Sequence, residues 1–147
     1  MPERLFDLST TVPVAPAAVL DFLLDLNRHH GLHPFLVRAE VVDEGTSAEG
    51  EWRQWRVLER PRLGPLRYPI SFGARLTRTS ETSFRSDVRA APGCTISATT
   101  DAVERAGGSQ VTEHAVVRAP RPVLGYMAGQ AQVAHTRTFR LLPAALA

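Results

Sequence analysis

The chain has 147 residues, of which 44% are apolar and 22% charged, and its seventeen basic residues are all arginine, set against fifteen acids. That length and apolar share allow a core to form without disulfides or a structural metal, and the single cysteine, Cys94, excludes an intrachain disulfide and a cysteine-based zinc site and suits a reducing compartment. No segment approaches the ~18 apolar residues that span a bilayer, and the acid-bearing start, Met1 to Asp7, lacks the apolar run of a secretory signal.

The expectation is therefore a single cytoplasmic domain over residues 1–147. The net charge is only +2. The arginines are scattered among acids rather than gathered in a stripe, which fits compositional bias better than a phosphate-binding surface, so no nucleic-acid partner is expected.

In chain order, residues 3–14 alternate with period two and predict a strand, stopped by Pro13 and Pro16. Pro16 suits a first helical turn, and Val19, Phe22, Leu23 and Leu26 recur at helical spacing to about Asn27. Gly31 and Pro34 then break the helical pattern, leaving a turn or one short helix from Arg28 to Phe35. Strands are predicted over Leu36–Glu44 and Glu51–Arg60, with turns at Gly45–Gly50 and Pro61–Pro65. Leu66, Tyr68, Ile70, Phe72, Ala74 and Leu76 alternate with polar residues, Pro69 being the member that suggests an edge or bulge. Thr82, Phe84, Ser86 and Val88 give a further alternating strand, followed by Cys94–Arg105, a Gly107-Gly108 turn and Ser109–Arg118. A helix over Pro122–Leu142 closes the chain, with Leu124, Ala128, Ala131, His135, Thr138 and Leu142 on one stripe.

This order implies an α+β helix-grip fold: a curved antiparallel sheet of six to seven strands around a long C-terminal helix, whose apolar face only that helix is long enough to cover. The stripe facing the sheet is rich in Gly and Ala. Such a helix either seats close or leaves space, and a curved sheet against a straight helix favours an internal cavity.

Three stretches resemble one known family. They are Val12-Pro13-Val14-Ala15-Pro16 through Asn27, Leu32-His33-Pro34-Phe35 through Val42, and Ala131 through Leu142. In this order and spacing they resemble the START-like (SRPBCC) superfamily of polyketide cyclases, dehydrases and lipid-transport proteins, over nearly all of the chain. The resemblance implies the same helix-grip fold, a lipid, sterol, polyketide or hormone as ligand, and in a minority of members cyclisation or aromatisation.

The candidate catalytic residues are His135, Tyr126, His114 and Arg53. His135 lies on the apolar stripe of the last helix, as a core histidine or as a polar anchor at a cavity wall. His114 faces a ligand only if Thr112 and Val116 share the inner face; if Val111, Glu113, Ala115 and Val117 do, it faces solvent. Trp52 and Trp55 fall on opposite faces of one strand, and one of them should be covered. The ligand-binding candidates are Trp55, Tyr68, Phe72, Phe84, Ser86, Thr99, Leu124, Ala128, Ala131 and His33. His29, His30 and His33 have short metal-ligand spacing, but nothing nearby in sequence completes a site, so no metal is expected and His33 is placed near the cavity mouth. No nucleophile elbow, P-loop or dinucleotide-binding glycine pattern is present, so no cofactor is expected.

The function expected is the binding or transport of an apolar small molecule by a monomer or homodimer. A polyketide aromatase/cyclase is the alternative, and requires at least two ionisable side chains converging in the cavity. A protein-interaction or stress-response module requires a cavity filled by the protein's own side chains.

Overall fold

Alternation along each strand decides which face is covered, and the covered faces join into one sheet. The computed structural model describes residues 1–147, apart from the side chain of Leu63. The elements are β1 (Glu3–Val12), α1 (Pro16–Leu23), a 3-10 turn (Leu26–His29), β2 (Leu36–Ser47), β3 (Gly50–Glu59), β4 (Arg62–Leu63), β5 (Leu66–Arg67), β6 (Ile70–Arg78), β7 (Ser83–Ala90), β8 (Cys94–Arg105), β9 (Gly108–Arg118) and α2 (Arg121–Ala145). Seven strands form a curved antiparallel sheet in the order β1-β9-β8-β7-β6-β3-β2, and β4 and β5 pair as a separate small hairpin. The fold is the helix-grip arrangement, with α2 lying against β1 and β9.

Several boundaries move for local physical reasons. The first helix ends at Leu23, because the Asp25 side chain accepts from the Asn27 amide (3.1 Å) and starts a new 3-10 turn. β2 continues through Gly45 to Ser47. Gly45 is there for the Trp52 ring, since an added Cβ would come within 2.8 Å of it. The strand expected from Leu66 breaks at Tyr68-Pro69, and Leu66-Arg67 pairs back onto β4 instead. The β8–β9 turn falls on Ala106 and Gly107, with φ of 47° and 82° as a tight hairpin requires, one residue earlier than Gly107-Gly108. α2 runs one turn past Leu142, with Pro143 inside it.

The core divides into three clusters. Val19, Leu20, Phe22 and Leu23 of α1 pack with Val12, Phe84, Val111 and the α2 residues Phe139 and Leu142, closing one end. Leu124, Ala128 and Ala131 seat α2 on Phe6, Ala98, Ala115 and Val117 of β1, β8 and β9. Ala39, Trp55, Val57, Ala74 and Leu76 form the third cluster on β2, β3 and β6. Because α2 sits on the β1–β9–β8 side, the other half of the curved sheet stands away from it, and a hollow lies between the clusters. No helix among the described residues is long and apolar enough to cross a membrane.

Candidate functional site

The hollow has a volume of about 200 Å³ and is bounded by β3, β6, β7, β8, α2 and the segment from the 3-10 turn to β2. Most of its wall is apolar: Val57, Phe72, Leu76, Phe84, Val88 and Ile96 are typical members. Into this wall are set His29, His33, Glu59, Glu113, Gln130 and His135.

His33 Nε2 lies 3.1 Å from Glu59 Oε2. The Phe35 amide points at His33 Nδ1 (3.3 Å), so Nδ1 accepts and the ring proton sits on Nε2, donating to the carboxyl. Burial lowers the His33 pKa to about 3, helped by His135, His29 and Arg137. Burial also raises Glu59 to about 7. The pair is therefore a neutral imidazole beside a carboxyl group poised near neutral pH.

His135 Nδ1 bonds to Glu113 Oε1, and its ring meets Phe6 edge-on with centroids 5.6 Å apart. Burial opposes the charge on His135, but Glu113, by charge and hydrogen bond, and Glu59, by charge, together outweigh it and raise its pKa. Nδ1 is thus engaged, which leaves Nε2 as the nitrogen available to a guest. His29 is buried, stacks on Phe22 and donates from Nε2 to the Phe22 carbonyl (3.2 Å). Burial lowers its pKa. At the other end of the hollow the Tyr68 and Tyr126 hydroxyls are 2.5 Å apart, and Tyr126 donates to the Arg62 carbonyl (3.0 Å).

Of the catalytic candidates, His135 and Tyr126 line the hollow. His114 does not: Val111, Glu113, Ala115 and Val117 take the inner face of β9, and His114 stands in solvent with Nδ1 2.5 Å from Asp7 Oδ1. Arg53 sits at the exposed end of β3, 3.6 Å from Glu44, away from the hollow. Of the ligand-binding candidates, Tyr68, Phe72, Phe84, Ser86, Ala131 and His33 line it. Thr99 does not, because β8 turns Ala98 and Thr100 inward and Thr99 outward. Leu124 and Ala128 are consumed in seating α2 on the sheet, and Trp55 is buried in the third cluster, off the hollow. Trp52 is the outer tryptophan, capped by the Arg75 guanidinium at 4.0 Å. His30 is exposed, and no group of three or more His, Cys, Asp and Glu among the described residues could hold a metal ion.

Two wall residues carry weaker sequence signals. Glu59 follows Trp55 and Val57 on the covered face of β3, so alternation alone points it inward. Gln130 lies one turn from Tyr126 on α2, and nothing in its local pattern marks it.

A curved seven-stranded antiparallel sheet gripping a long helix around a mainly apolar hollow defines a helix-grip protein with an internal pocket. Residues 4–143 match the family model described as polyketide cyclase / dehydrase and lipid transport, and the chain belongs to that family. Its fold is similar to that of a Thermus thermophilus protein (TM-score 0.71, 14% identity, 99% of this chain and 97% of the other). It is equally similar to the Zhui aromatase/cyclase of Streptomyces sp. R1128 (TM-score 0.71, 13% identity, 99% and 92%). The di-domain ARO/CYC BexL of the BE-7585A biosynthetic pathway matches over 98% of this chain and 48% of its own (TM-score 0.66, 12% identity). At these identities the likeness is one of fold. No curated protein matches the chain in sequence.

Proposed function

We propose that the protein binds a compact, oxygen-bearing apolar ring compound inside the hollow. The observation that carries this reading is an apolar pocket of about 200 Å³ into whose wall two histidine–carboxylate pairs are built. Affinity comes from apolar area taken out of water, at about 25 cal/mol per Å², and the few polar groups set orientation. The volume is small against the ~300–1,000 Å³ of typical ligand pockets. A small ring system suits it better than a two-chain lipid. Family membership supports an apolar guest. Native mass spectrometry of gently purified protein tests the reading. A stoichiometric small-molecule passenger, or saturable uptake of a fluorescent naphthalene probe, is the expected result. Bare protein that also refuses the probe would overturn it.

A second reading, proton-transfer catalysis of the aromatase/cyclase kind, is favoured by the protonation states at the wall. A carboxyl near pKa 7 and a histidine raised above its ordinary value both face the space a guest would occupy. Groups titrating close to working pH are the ones able to give and take protons. Here Glu59 would shuttle the proton while His135, steadied by Glu113, would polarise a ketone or enol oxygen from Nε2. Turnover of a poly-β-ketone thioester analogue that is lost in both Glu59→Gln and His135→Gln, with binding retained, is expected. Unchanged turnover in both variants would remove these groups from the chemistry.

A further inference from the structure

One wall residue serves neither histidine–carboxylate pair. Gln130 lies midway along α2 and lines the hollow, yet its Oε1 is shielded from solvent and has no hydrogen-bond partner among the described residues. A buried carbonyl oxygen left this way carries the desolvation penalty of an unmade hydrogen bond, and such groups are few in native proteins. The polar neighbours on α2 are committed elsewhere. Tyr126, one turn before, donates to the Arg62 carbonyl. His135 is tied at Nδ1 to Glu113, and Thr138 donates to the Ala134 carbonyl. Ala131 and Ala134 offer no donor. Trp55 Nε1 is also buried and unpartnered, but Trp55 does not line the hollow.

Gln130 stands about 6 Å along the helix axis from Tyr126 and about 7.5 Å from His135, between the two polar ends of the pocket. The last torsion of a glutamine side chain is soft, so a small rotation turns its amide to a guest.

We infer that Gln130 accepts a hydrogen bond from a hydroxyl of the guest, and that the pocket selects phenolic or enolic ring compounds over bare hydrocarbons and acyl chains. This inference rests on the ligand-binding reading above and adds the residue that sets selectivity.

The experiment compares 1-naphthol with the near-isosteric 1-methylnaphthalene by calorimetry, on the wild-type protein and on Gln130→Leu. The wild type should prefer the naphthol by about tenfold. Gln130→Leu should bind both probes alike, with affinity for 1-methylnaphthalene kept or improved. Gln130→Glu, which retains an acceptor oxygen, should keep the preference and guards against a folding defect in the leucine variant. Equal wild-type affinities, or a naphthol preference that survives Gln130→Leu, overturn the role of Gln130 while leaving ligand binding intact. If neither probe binds the wild type, the ligand-binding reading fails and this inference with it.

Discussion

His33 and Glu59 face each other at 3.1 Å across the pocket wall, and burial moves their pKa values in opposite senses, His33 to about 3 and Glu59 to about 7. The two groups then act oppositely on stability. Between its unfolded value of 4.5 and about 7, Glu59 holds a proton in the native state that the unfolded chain has lost, so its contribution falls as pH rises. Between about 3 and its unfolded value of 6.5, His33 lacks a proton that the unfolded chain holds, so its contribution rises with pH. Over pH 4.5–6.5 the slopes oppose, each bounded by about 1.4 kcal/mol per pH unit. Glu59→Gln should therefore gain stability relative to wild type as pH rises from 4.5 to 7. His33→Asn should lose it from 3 to 6.5. Denaturant unfolding across that range measures both differences, and two flat difference curves would contradict the assignment.

Burial is the largest single influence on His135 and acts to lower its pKa; Glu113, by charge and hydrogen bond, is the main group that offsets it, with Glu59 adding to that offset. Replacing Glu113 with Gln removes both its charge and the charge-assisted hydrogen bond, and burial then dominates. The His135 ring should titrate above free imidazole in the wild type and below it in Glu113→Gln, as followed by the NMR shift of its ring protons. The stability consequence has a fixed sign. A raised histidine pKa stabilises fully below the unfolded value of 6.5, and the gain is lost as pH rises through the folded value. The wild-type advantage over Glu113→Gln should thus be greatest in mild acid. An advantage that grows with pH instead would remove the His135–Glu113 interaction as its source.

Much of this architecture is legible in the residues. Phe84, Ser86 and Val88 alternate with Arg85, Asp87 and Arg89, and the structure turns the first set to the pocket. The same rule groups Glu59 with Trp55 and Val57, and Glu113 with Val111, Ala115 and Val117. On β9 alternation leaves either face open, and it is the structure that turns the Glu113 set inward. Against an inward carboxylate stands the tendency of charged residues to face water, which fails where a histidine partner waits across the wall. The α2 stripe is harder to assign. Period 3.6 marks a broad apolar face but not which edge meets the sheet. Only the position of α2 over β1 and β9 separates Leu124 and Ala128, which pack, from Gln130 and Ala134, which line the pocket. His114 and Arg53 lie outside the pocket, and replacing either with Ala should leave probe affinity unchanged.

The β4–β5 hairpin is fastened to α2 through two phenols. Tyr126 donates to the Arg62 carbonyl, so the proton between the phenols belongs to Tyr68. Burial is the main cause that raises the Tyr126 pKa. Tyr126→Phe removes an acceptor and a donor together. It should reduce global stability by only about 1 kcal/mol. Amide exchange in residues 62–68 should nevertheless speed up, and probe release should quicken, because the hairpin borders the pocket. Unaltered exchange there would mean that the phenols do not hold the hairpin.

Two alanines on β8 provide the sharpest check that the pocket is open space. Ala98 points from the inner face onto the hollow, whereas Ala102, two pairs of residues along the same strand, is fully buried in the cluster closed by α1. Enlarging a side chain in a filled core forces off-rotamer packing at about 1–3 kcal/mol. Ala102→Leu should show that loss. Ala98 touches α2 on one side and borders the hollow on the other, so Ala98→Leu has open space to turn into and should lose clearly less stability than Ala102→Leu. It should also cut affinity for a naphthalene-sized probe at least tenfold, since the new side chain occupies the guest's place. The two variants share chemistry, strand and face, and both sites are packed, but only Ala98 also borders the hollow. Equal losses of stability at both sites, with probe binding intact in Ala98→Leu, would mean that side chains already fill the space between the sheet and α2.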